Sequence, residues 1–317
     1  MNTKHFDIII VGGGPAGLTA GIYAARSKAK VLILDEGIVG GQTILTHKVE
    51  NYPGIEQISG YGMASIMKSQ AENFGCEIVS NTKIIALDLT SELKSIETAN
   101  DHFTADSIII ATGGRSKSLN VGGEDALKGR GISYCATCDG DFFQDKEIIV
   151  VGGGNTALEE AVSLTKYASK VTVVHVLDQW QAFDHAVNDA KENKKIEFVM
   201  ESKIVQFHGD ESLRKVTVEH LPTGKRTDVA VEGCFIFIGY DPNTSFLENT
   251  GLELNTRKEI ISNELMQTNI EGVFVAGDSR NKKYRQITTA VNDGTIAALE
   301  AVNYVFEKRK QNQLQSV

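Results

Sequence analysis

The sequence FDIIIVGGGPAG occupies residues 6–17 and passes directly from an apolar, β-branched run into a glycine turn. Residues 18–27 follow with an alanine-rich composition that permits a helix, and a second apolar run over residues 30–34 ends at Asp35. A strand, a glycine turn, a helix and a second strand within about 30 residues form a β-α-β unit. The chain therefore begins as a parallel α/β fold.

The same order of segments returns in the middle of the chain. Residues 147–151 are apolar, GGGNTA follows at 152–157, and a helix-like stretch leads to the strand-like VTVVH, which ends at His175. Two such units predict an α/β protein with two Rossmann-like, doubly wound nucleotide-binding domains. Because residues 273–278 resemble a last strand of the first sheet, we expect the second domain to be inserted in the first. The expected domains are residues 1–115 with 246–317, and residues 116–245.

Composition favours a globular protein without a nucleic-acid partner. Of 317 residues, 41% are hydrophobic, and 32 Lys and Arg face 41 Asp and Glu, for a net charge of −9. A nucleic-acid partner requires a basic face, which this balance disfavours. The first residues lack a secretory pattern, and no apolar run reaches the roughly 18 residues of a membrane span, so we expect a cytoplasmic protein without a membrane partner. The polar tail after Glu307 is expected to be frayed.

The first glycine turn has the residues of a dinucleotide site. Gly12 and Gly14 leave backbone N–H groups open to a pyrophosphate, and Gly17 lets the helix pack closely on the strand. Asp35 follows at about the 20-residue spacing at which an acid binds a ribose hydroxyl. A glycine triplet alone is equally a tight turn of an α/β protein, but strand, helix and acid together favour a dinucleotide.

Cys135 and Cys138, in the sequence CATCD, are the candidate chemical centre. Two thiols at this spacing can close a small disulfide ring, and such pairs often have a lowered thiol pKa and reversible redox chemistry. A zinc site would need two further ligands nearby, and neither Cys76 nor Cys234 brings a second Cys-x-x-Cys, so we predict no metal. A passive thiol pair stays open, and Cys76 and Cys234 are expected to be buried hydrophobes.

Segments along nearly the whole chain resemble the low-molecular-weight flavin thioredoxin reductase family. VFVAGD at 273–278, followed by YRQITTA at 284–290, is similar to the second flavin-binding motif of that family, and GGQ at 40–42, NYPG at 51–54 and ATG at 111–113 are further similar segments. The resemblance implies that FAD is the cofactor, with Asp278 at its ribityl chain. The cofactor-binding residues so predicted are Gly12, Gly14, Pro15, Ala16, Gly17, Asp35, Glu36, Gly41, Gln42, Asn51, Thr112, Gly113, Gly277, Asp278, Arg285, Gln286 and Ile287.

The same resemblance implies roles at the cysteine pair. Cys138 would accept electrons from the flavin, Cys135 would attack a partner's disulfide, and Asp139 would donate or accept a proton. The resemblance further implies thioredoxin or a similar protein as the acceptor and a homodimer as the assembly. Ferredoxin–NADP oxidoreductases of the thioredoxin-reductase-like type are a rival, but that group lacks the cysteine pair. A flavin redox sensor without turnover is the alternative from another class.

One motif of the family is missing. NADPH-dependent members carry His-Arg-Arg-x-x-x-Arg after the second unit's second strand, whereas this chain has HVLDQWQ at 175–181. Val176, Leu177 and Gln181 cannot make the bidentate contacts that a phosphate favours, and Asp178 adds a repulsive charge. The segment resembles ferredoxin-dependent flavin thioredoxin reductases, so we favour reduced ferredoxin as the electron donor over NADH, NADPH or a reduced deazaflavin. The basic residues considered for ferredoxin docking are Lys194, Lys195, Lys225, Arg226, Lys282, Lys283 and Arg285.

Overall fold

The computed structural model describes residues 3–46 and 49–315. The chain forms two compact units, Met1–Arg115 with Asp241–Val317 as unit 1, and Ser116–Tyr240 as unit 2. The chain passes back from unit 2 to unit 1 between residues 240 and 241, which is earlier than the boundary expected between residues 245 and 246. Asn243 explains the difference, because its backbone N–H donates to the Gly113 carbonyl at 2.9 Å and its Nδ2 donates to the Thr112 carbonyl at 3.0 Å.

The amino-terminal part of unit 1 contains a Rossmann-like sheet with helices. Its elements among the described residues are β1 (Thr3–Val11), α1 (Pro15–Arg26), β2 (Val31–Leu34), α2 (Gly60–Asn73), β3 (Glu77–Val79), β4 (Ile84–Asp88), β5 (Lys94–Thr98) and β6 (His102–Ile110). Strands β3, β2, β1 and β6 are parallel neighbours in that order, and the β4-β5 hairpin pairs antiparallel with the first half of β6. Residues 6–11 of β1 are buried throughout, as expected of a parallel strand covered on both faces.

Unit 2 contains a second parallel sheet and a separate antiparallel sheet. The elements that follow in the chain are β7 (Gly114–Ser116), α3 (Glu124–Leu127), β8 (Ile132–Ser133), α4 (Ala136–Asp139), β9 (Glu147–Val151), α5 (Asn155–Leu164), β10 (Lys170–Val174), α6 (Asp184–Glu192), β11 (Ile196–Val199), β12 (Ser202–His208), β13 (Lys215–His220), β14 (Arg226–Ala230), β15 (Gly233–Ile236) and β16 (Tyr240–Pro242). The parallel order is β11-β10-β9-β15-β8, the antiparallel order is β12-β13-β14, and β7 pairs with β16.

The carboxyl-terminal part of the chain completes unit 1 with β17 (Val273–Val275) and α7 (Ile287–Gln315). Strand β17 pairs in parallel with the second half of β6, so the chain returns to the first sheet. The expected frayed tail was wrong, because α7 continues to Gln315. Ion pairs hold α7 to the sheet at the start of this tail, with Lys308 Nζ 3.2 Å from Asp106 and Arg309 bonded to Asp7.

Alternate residues of β1 build the two faces of the core of unit 1. Ile8 and Ile10 belong to a buried cluster with side chains of α1, α2 and α7, whereas Ile9 and Val11 belong to a cluster on the opposite face. Helices α1 and α7 touch through backbone, since a Cβ on Gly294 would lie 2.2 Å from the Ala16 carbonyl oxygen. The two parallel sheets with their helices confirm the predicted α/β class with two Rossmann-like domains.

Candidate active site

Cys135 and Cys138 form a disulfide bond in unit 2. Cys135 stands at the amino-terminal cap of the short helix α4, and its sulfur accepts a hydrogen bond from the Cys138 backbone N–H at 3.2 Å. Both cysteines are partly exposed, and Thr137 between them is exposed. The structure therefore shows the oxidised state of a dithiol–disulfide pair, which is the form that accepts two electrons.

The carboxyl group of Asp139 lies directly beside this pair in sequence and is held by a serine. The Ser133 hydroxyl donates to Asp139 Oδ2 at 2.6 Å. Burial raises the pKa of Asp139 and a repulsive contribution from Asp141 adds to this, while the Ser133 hydrogen bond opposes it. Sequence reasoning missed Ser133, although its position two residues before Cys135 at the end of β8 was a signal that could have been followed.

The remaining two cysteines are structural. Cys76 and Cys234 are both free and buried. Burial raises the pKa of the Cys76 thiol to about 12 and raises that of Cys234 further, so neither is a thiolate near neutral pH. Both sulfurs pack with apolar side chains of a core cluster, as the sequence led us to expect.

The first glycine turn is shaped by backbone contacts that side chains would block. A Cβ on Gly12, whose φ is +109°, would lie 2.3 Å from the Ala111 carbonyl oxygen, and a Cβ on Gly17 would lie 1.8 Å from the Gly12 carbonyl oxygen. Gly14 caps α1, and Pro15 occupies its first turn, where a missing N–H is harmless. The turn therefore presents a helix amino terminus without side chains over it, which suits a pyrophosphate.

Asp35 ties the end of β2 to this turn. Its Oδ2 accepts from the Gly13 N–H at 2.6 Å and its Oδ1 accepts from the Gly37 N–H at 2.8 Å. Glu36 beside it is exposed. The acid is thus at the expected end of the strand but already orders the loop, and its contact with a ribose stays a prediction.

The segment after β2 comes back to the same turn. The Gly40 N–H donates to the Gly13 carbonyl at 2.8 Å, and a Cβ on Gly41 would lie 3.2 Å from the Gly14 Cα. Gln42 follows in an exposed position within the 3-10 helix Gly41–Leu45. The predicted residues of the first motif and of residues 40–42 therefore gather at one end of the sheet.

Asp278 carries an unsatisfied buried oxygen. It lies in the 3-10 helix Gly277–Ser279 just after β17, and its Oδ1 is buried without a hydrogen-bond partner. Burial raises the pKa of Asp278 to about 6, Lys282 and Arg285 lower it, and Asp293 raises it. A buried acceptor without a donor is costly, so this oxygen fits the hydroxyl of a ribityl chain.

Two further residues of the second flavin motif, Gln286 and Arg285, contact residues that are distant in the sequence. Gln286, directly before α7, receives a hydrogen bond from Asn51 Nδ2 to its Oε1 at 3.5 Å, which joins two segments predicted to bind the cofactor. Ile287 begins α7. Arg285 forms an ion pair with the buried carboxylate of Glu259, a residue that sequence reasoning missed because it lies 26 positions away.

The second glycine turn, in unit 2, is overlaid by the segment that replaces the arginine motif. The Gln181 N–H donates to the Gly153 carbonyl at 2.8 Å, and the ring of His175 packs against Gly153. His175 is buried, bonds through Nε2 to the Gln179 carbonyl at 3.1 Å and stacks on Trp180. Burial lowers the pKa of His175, so the ring is neutral and brings no charge to this turn.

Most of the basic residues considered for ferredoxin docking have structural partners. Lys195 donates to the Thr165 and Ala168 carbonyls at 2.8 and 2.9 Å, and Arg226 lies 2.8 Å from Glu219. In unit 1, Lys282 Nζ lies 2.7 Å from Asp293, and Arg285 is paired with Glu259 as described. Of the seven basic residues considered, the exposed ones that take no part in these bonds are Lys194, Lys225 and Lys283.

Two Rossmann-like domains, a Cys-x-x-Cys disulfide and a buried carboxylate that suits a ribityl hydroxyl are together the features of a flavin-dependent disulfide oxidoreductase. The chain belongs to the pyridine nucleotide-disulphide oxidoreductase family, which matches residues 6–294. It is of the thioredoxin reductase type, and the cofactor of this type is FAD. Among the described residues, no helix is long and apolar enough to cross a membrane.

Similar proteins cover almost the whole chain. A thioredoxin reductase of Peptoclostridium litorale is 43% identical over 309 residues, which cover 95% of this chain and 98% of the relative. One of Bacillus subtilis (strain 168) is 41% identical over 305 residues, with 96% of each chain covered. The crystal structure of thioredoxin reductase from Streptococcus pyogenes has a TM-score of 0.92 at 40% identity, covering 96% of this chain and 99% of that one.

Proposed function

We propose that this chain reduces the disulfide of thioredoxin through Cys135 and Cys138. The observation that carries the proposal is the Cys135–Cys138 disulfide with the partly buried Asp139 beside it. Unit 1 is the FAD-binding domain and unit 2 the NAD(P)H-binding-like domain that bears the redox pair. When bound, FAD supplies the electron pair that opens the disulfide, with Cys138 as the sulfur that receives it.

The reduced pair then acts by thiol–disulfide exchange. The Cys135 thiolate attacks one sulfur of the thioredoxin disulfide, a mixed disulfide forms, and the leaving sulfur takes the electron pair of the broken bond. Asp139 gives that sulfur its proton, for which the raised pKa of its carboxyl group is suited. The Cys138 thiolate next attacks the Cys135 sulfur, and the bond between Cys135 and thioredoxin breaks. Its electron pair goes to the second thioredoxin sulfur, which takes a proton from solvent, and the internal disulfide is restored.

The FAD site proposed in unit 1 combines the glycine turn with the second flavin motif. The pyrophosphate would lie at the turn before α1, where side chains are excluded. The Asp278 carboxylate would accept from a ribityl hydroxyl, and the start of α7 with Gln286 would bind the isoalloxazine. Thr112 and Gly113, at the carboxyl end of β6, complete the predicted set.

Reduced ferredoxin, rather than NADPH, is the proposed electron donor. Val176 and Leu177 are 46% and 43% exposed, so the positions that carry arginines in NADPH-dependent members present apolar side chains to solvent. Exposed Asp178 adds a negative charge that a phosphate dianion would meet. Ferredoxin docking would rely on few cations, with Lys194 among the exposed ones.

An anaerobic titration tests the donor. The FAD-loaded protein is mixed with NADPH, NADH, a reduced deazaflavin and reduced ferredoxin in turn, and loss of the visible flavin absorption is followed. Bleaching by ferredoxin, followed by reduction of thioredoxin, is the expected result. Rapid bleaching by a nicotinamide would overturn the ferredoxin assignment, and failure of every donor to sustain thioredoxin reduction would favour a redox sensor.

Restoring the arginines tests the reason for the donor assignment. The triple variant Val176→Arg, Leu177→Arg and Gln181→Arg is expected to gain flavin reduction by NADPH, because guanidinium groups bind the adenosine phosphate. Leu221→Arg, at another exposed apolar position of unit 2, controls for added charge and should gain nothing. Equal rates with NADPH for the triple variant and the unmodified chain would contradict the reasoning.

The assembly proposed is a homodimer, and the location proposed is the cytoplasm. Light scattering of the FAD-loaded protein measures the first, with a mass of twice 34.4 kDa as the expected result. A monomer that keeps full turnover would refute it.

A further inference from the structure

The Ser133 hydroxyl connects the redox cysteine to the acid. Ser133 is buried at the end of β8, and its Oγ makes three contacts. It donates to Asp139 Oδ2 at 2.6 Å, it lies 3.3 Å from the Cys135 carbonyl oxygen, and it accepts from the Cys135 backbone N–H at 3.1 Å. The hydroxyl therefore contacts both the carboxylate and the backbone on which one redox sulfur is carried.

A hydroxyl has one hydrogen to donate, and two acceptors stand within reach of this one. When Asp139 is ionised, the Ser133 hydroxyl donates its hydrogen bond to the carboxylate, because a hydrogen bond to a charged group is stronger than one to a neutral carbonyl. When Asp139 is protonated, the carboxyl group becomes the donor to Ser133 Oγ, and the Ser133 hydrogen can turn to the Cys135 carbonyl. The Cys135 N–H keeps the same acceptor in both states, so neither state leaves Ser133 or Asp139 unsatisfied.

We propose that Ser133 is a positioning residue of the redox centre, whose hydroxyl hydrogen turns between the Cys135 carbonyl and Asp139 as Asp139 gains and loses its proton. This inference rests on the proposed function, in which Asp139 protonates the leaving sulfur of thioredoxin. As the proton passes from Asp139 to that sulfur, the Ser133 hydrogen moves to the new carboxylate. The proton is the only atom transferred, and the electron pair of the broken S–S bond ends on the sulfur that receives it.

Because Ser133 bonds to Asp139 in both its ionised and its protonated form, the Ser133 hydroxyl should have a measurable effect on the pKa of Asp139. Hydrogen bonds to a charged group are worth more than neutral ones, so Ser133 stabilises the ionised form more than the protonated form. Burial already raises the pKa of Asp139, and removal of the Ser133 hydroxyl should raise it further. The expected displacement of the titration is about one pH unit upward.

The first measurement is the titration of Asp139 in the FAD-loaded protein by infrared difference spectroscopy. The carboxyl C=O band is assigned by its loss in Asp139→Asn. Ser133→Ala should move the midpoint of this band upward by about one pH unit, whereas Ser133→Thr, which keeps the hydroxyl, should leave it in place. Ser169→Ala, the same change at an exposed serine of unit 2, should also leave it in place.

The second measurement is the pH profile of kcat/KM for thioredoxin. The part of this profile that depends on the ionisation of Asp139 should shift to higher pH in Ser133→Ala, as the infrared midpoint does. In Ser133→Thr it should coincide with that of the unmodified protein. If Ser133→Ala does not fold, Ser133→Gly is the second hydroxyl-free variant. An unmoved midpoint in a folded hydroxyl-free variant, or an equal displacement in Ser133→Thr, would overturn the proposal.

The two measurements separate this inference from the proposed function. Absence of thioredoxin turnover in the unmodified protein would overturn the proposed function, while the infrared midpoint would still report on Ser133. If thioredoxin turnover is normal but Asp139 titrates at the same pH in the unmodified protein and in Ser133→Ala, the inference about Ser133 is overturned and the proposed function stands.

Discussion

Lys282 is one of two cations that favour the ionised form of Asp278 in the proposed flavin site, and Lys282→Met should make FAD retention depend on pH near neutrality. Its Nζ lies 4.0 Å from Asp278 Oδ1 and 2.7 Å from Asp293 Oδ2, with only 10% of its side chain exposed. Asp293 keeps other partners when the lysine is lost, because Arg280 lies 3.3 Å away and the Gly277 N–H donates to it at 3.2 Å. The substitution therefore removes a cation from both acids, but Asp293 keeps two partners that hold its charge, whereas the pKa of Asp278 is then lowered by Arg285 alone among these cations.

The magnitude follows from the titration of Asp278, whose pKa is raised to about 6. An opposite charge at this distance lowers a carboxyl pKa by about one to three pH units, and we take about one to two because Asp293 shares the ammonium. At pH 7 the ionised fraction of Asp278 then falls from about 90% to between about 50% and 10%. If FAD requires the carboxylate as an acceptor, its Kd rises about 2- to 10-fold at pH 7 and recovers at higher pH.

The assay is FAD release from the diluted holoenzyme, measured by flavin fluorescence at equilibrium between pH 5.5 and 9. Lys283→Met, at the exposed neighbour, is the matched control and should follow the unmodified protein. Asp278→Asn should bind FAD more weakly with no titration in this range. A curve for Lys282→Met that coincides with that of the unmodified protein would refute the reasoning about the lysine, while full affinity in Asp278→Asn would refute the flavin role of Asp278.

Two further substitutions test the scaffold of unit 1. Gly17→Ala places a Cβ 1.8 Å from the Gly12 carbonyl oxygen and should lower the free energy of unfolding by about 3 kcal/mol and reduce bound FAD. Thermal melting and flavin content measure this, and Gly37→Ala, where ordinary contact is expected, should stay near the unmodified values. Glu259→Ala leaves the Arg285 guanidinium without its carboxylate and should destabilise unit 1 by about 3 kcal/mol in urea unfolding. A loss below about 1 kcal/mol would mean that solvent replaces the partner.

The sequence predicted the fold class and the chemical centre because both rest on contiguous segments. The glycine turn before α1, the run that forms β1 and the pair Cys135 and Cys138 are each read within a few residues. The expected frayed tail was wrong for the opposite reason. The acids that pair with Lys308 and Arg309 lie on distant strands, and no local pattern in the tail indicates them.

Residue types and spacing determined by themselves that the chain forms two nucleotide folds, that a redox pair belongs to the second, and that the arginines of NADPH-dependent relatives are absent. The tertiary structure alone decided which groups surround these residues. Ser133 bonds to Asp139 and Lys282 lies near Asp278 within a few residues of chain, whereas Glu259 pairs with Arg285 from 26 positions away. The physical reason is that pKa and hydrogen bonding depend on burial and on the distance between groups, and only the folded backbone sets both, even for residues close together in the chain.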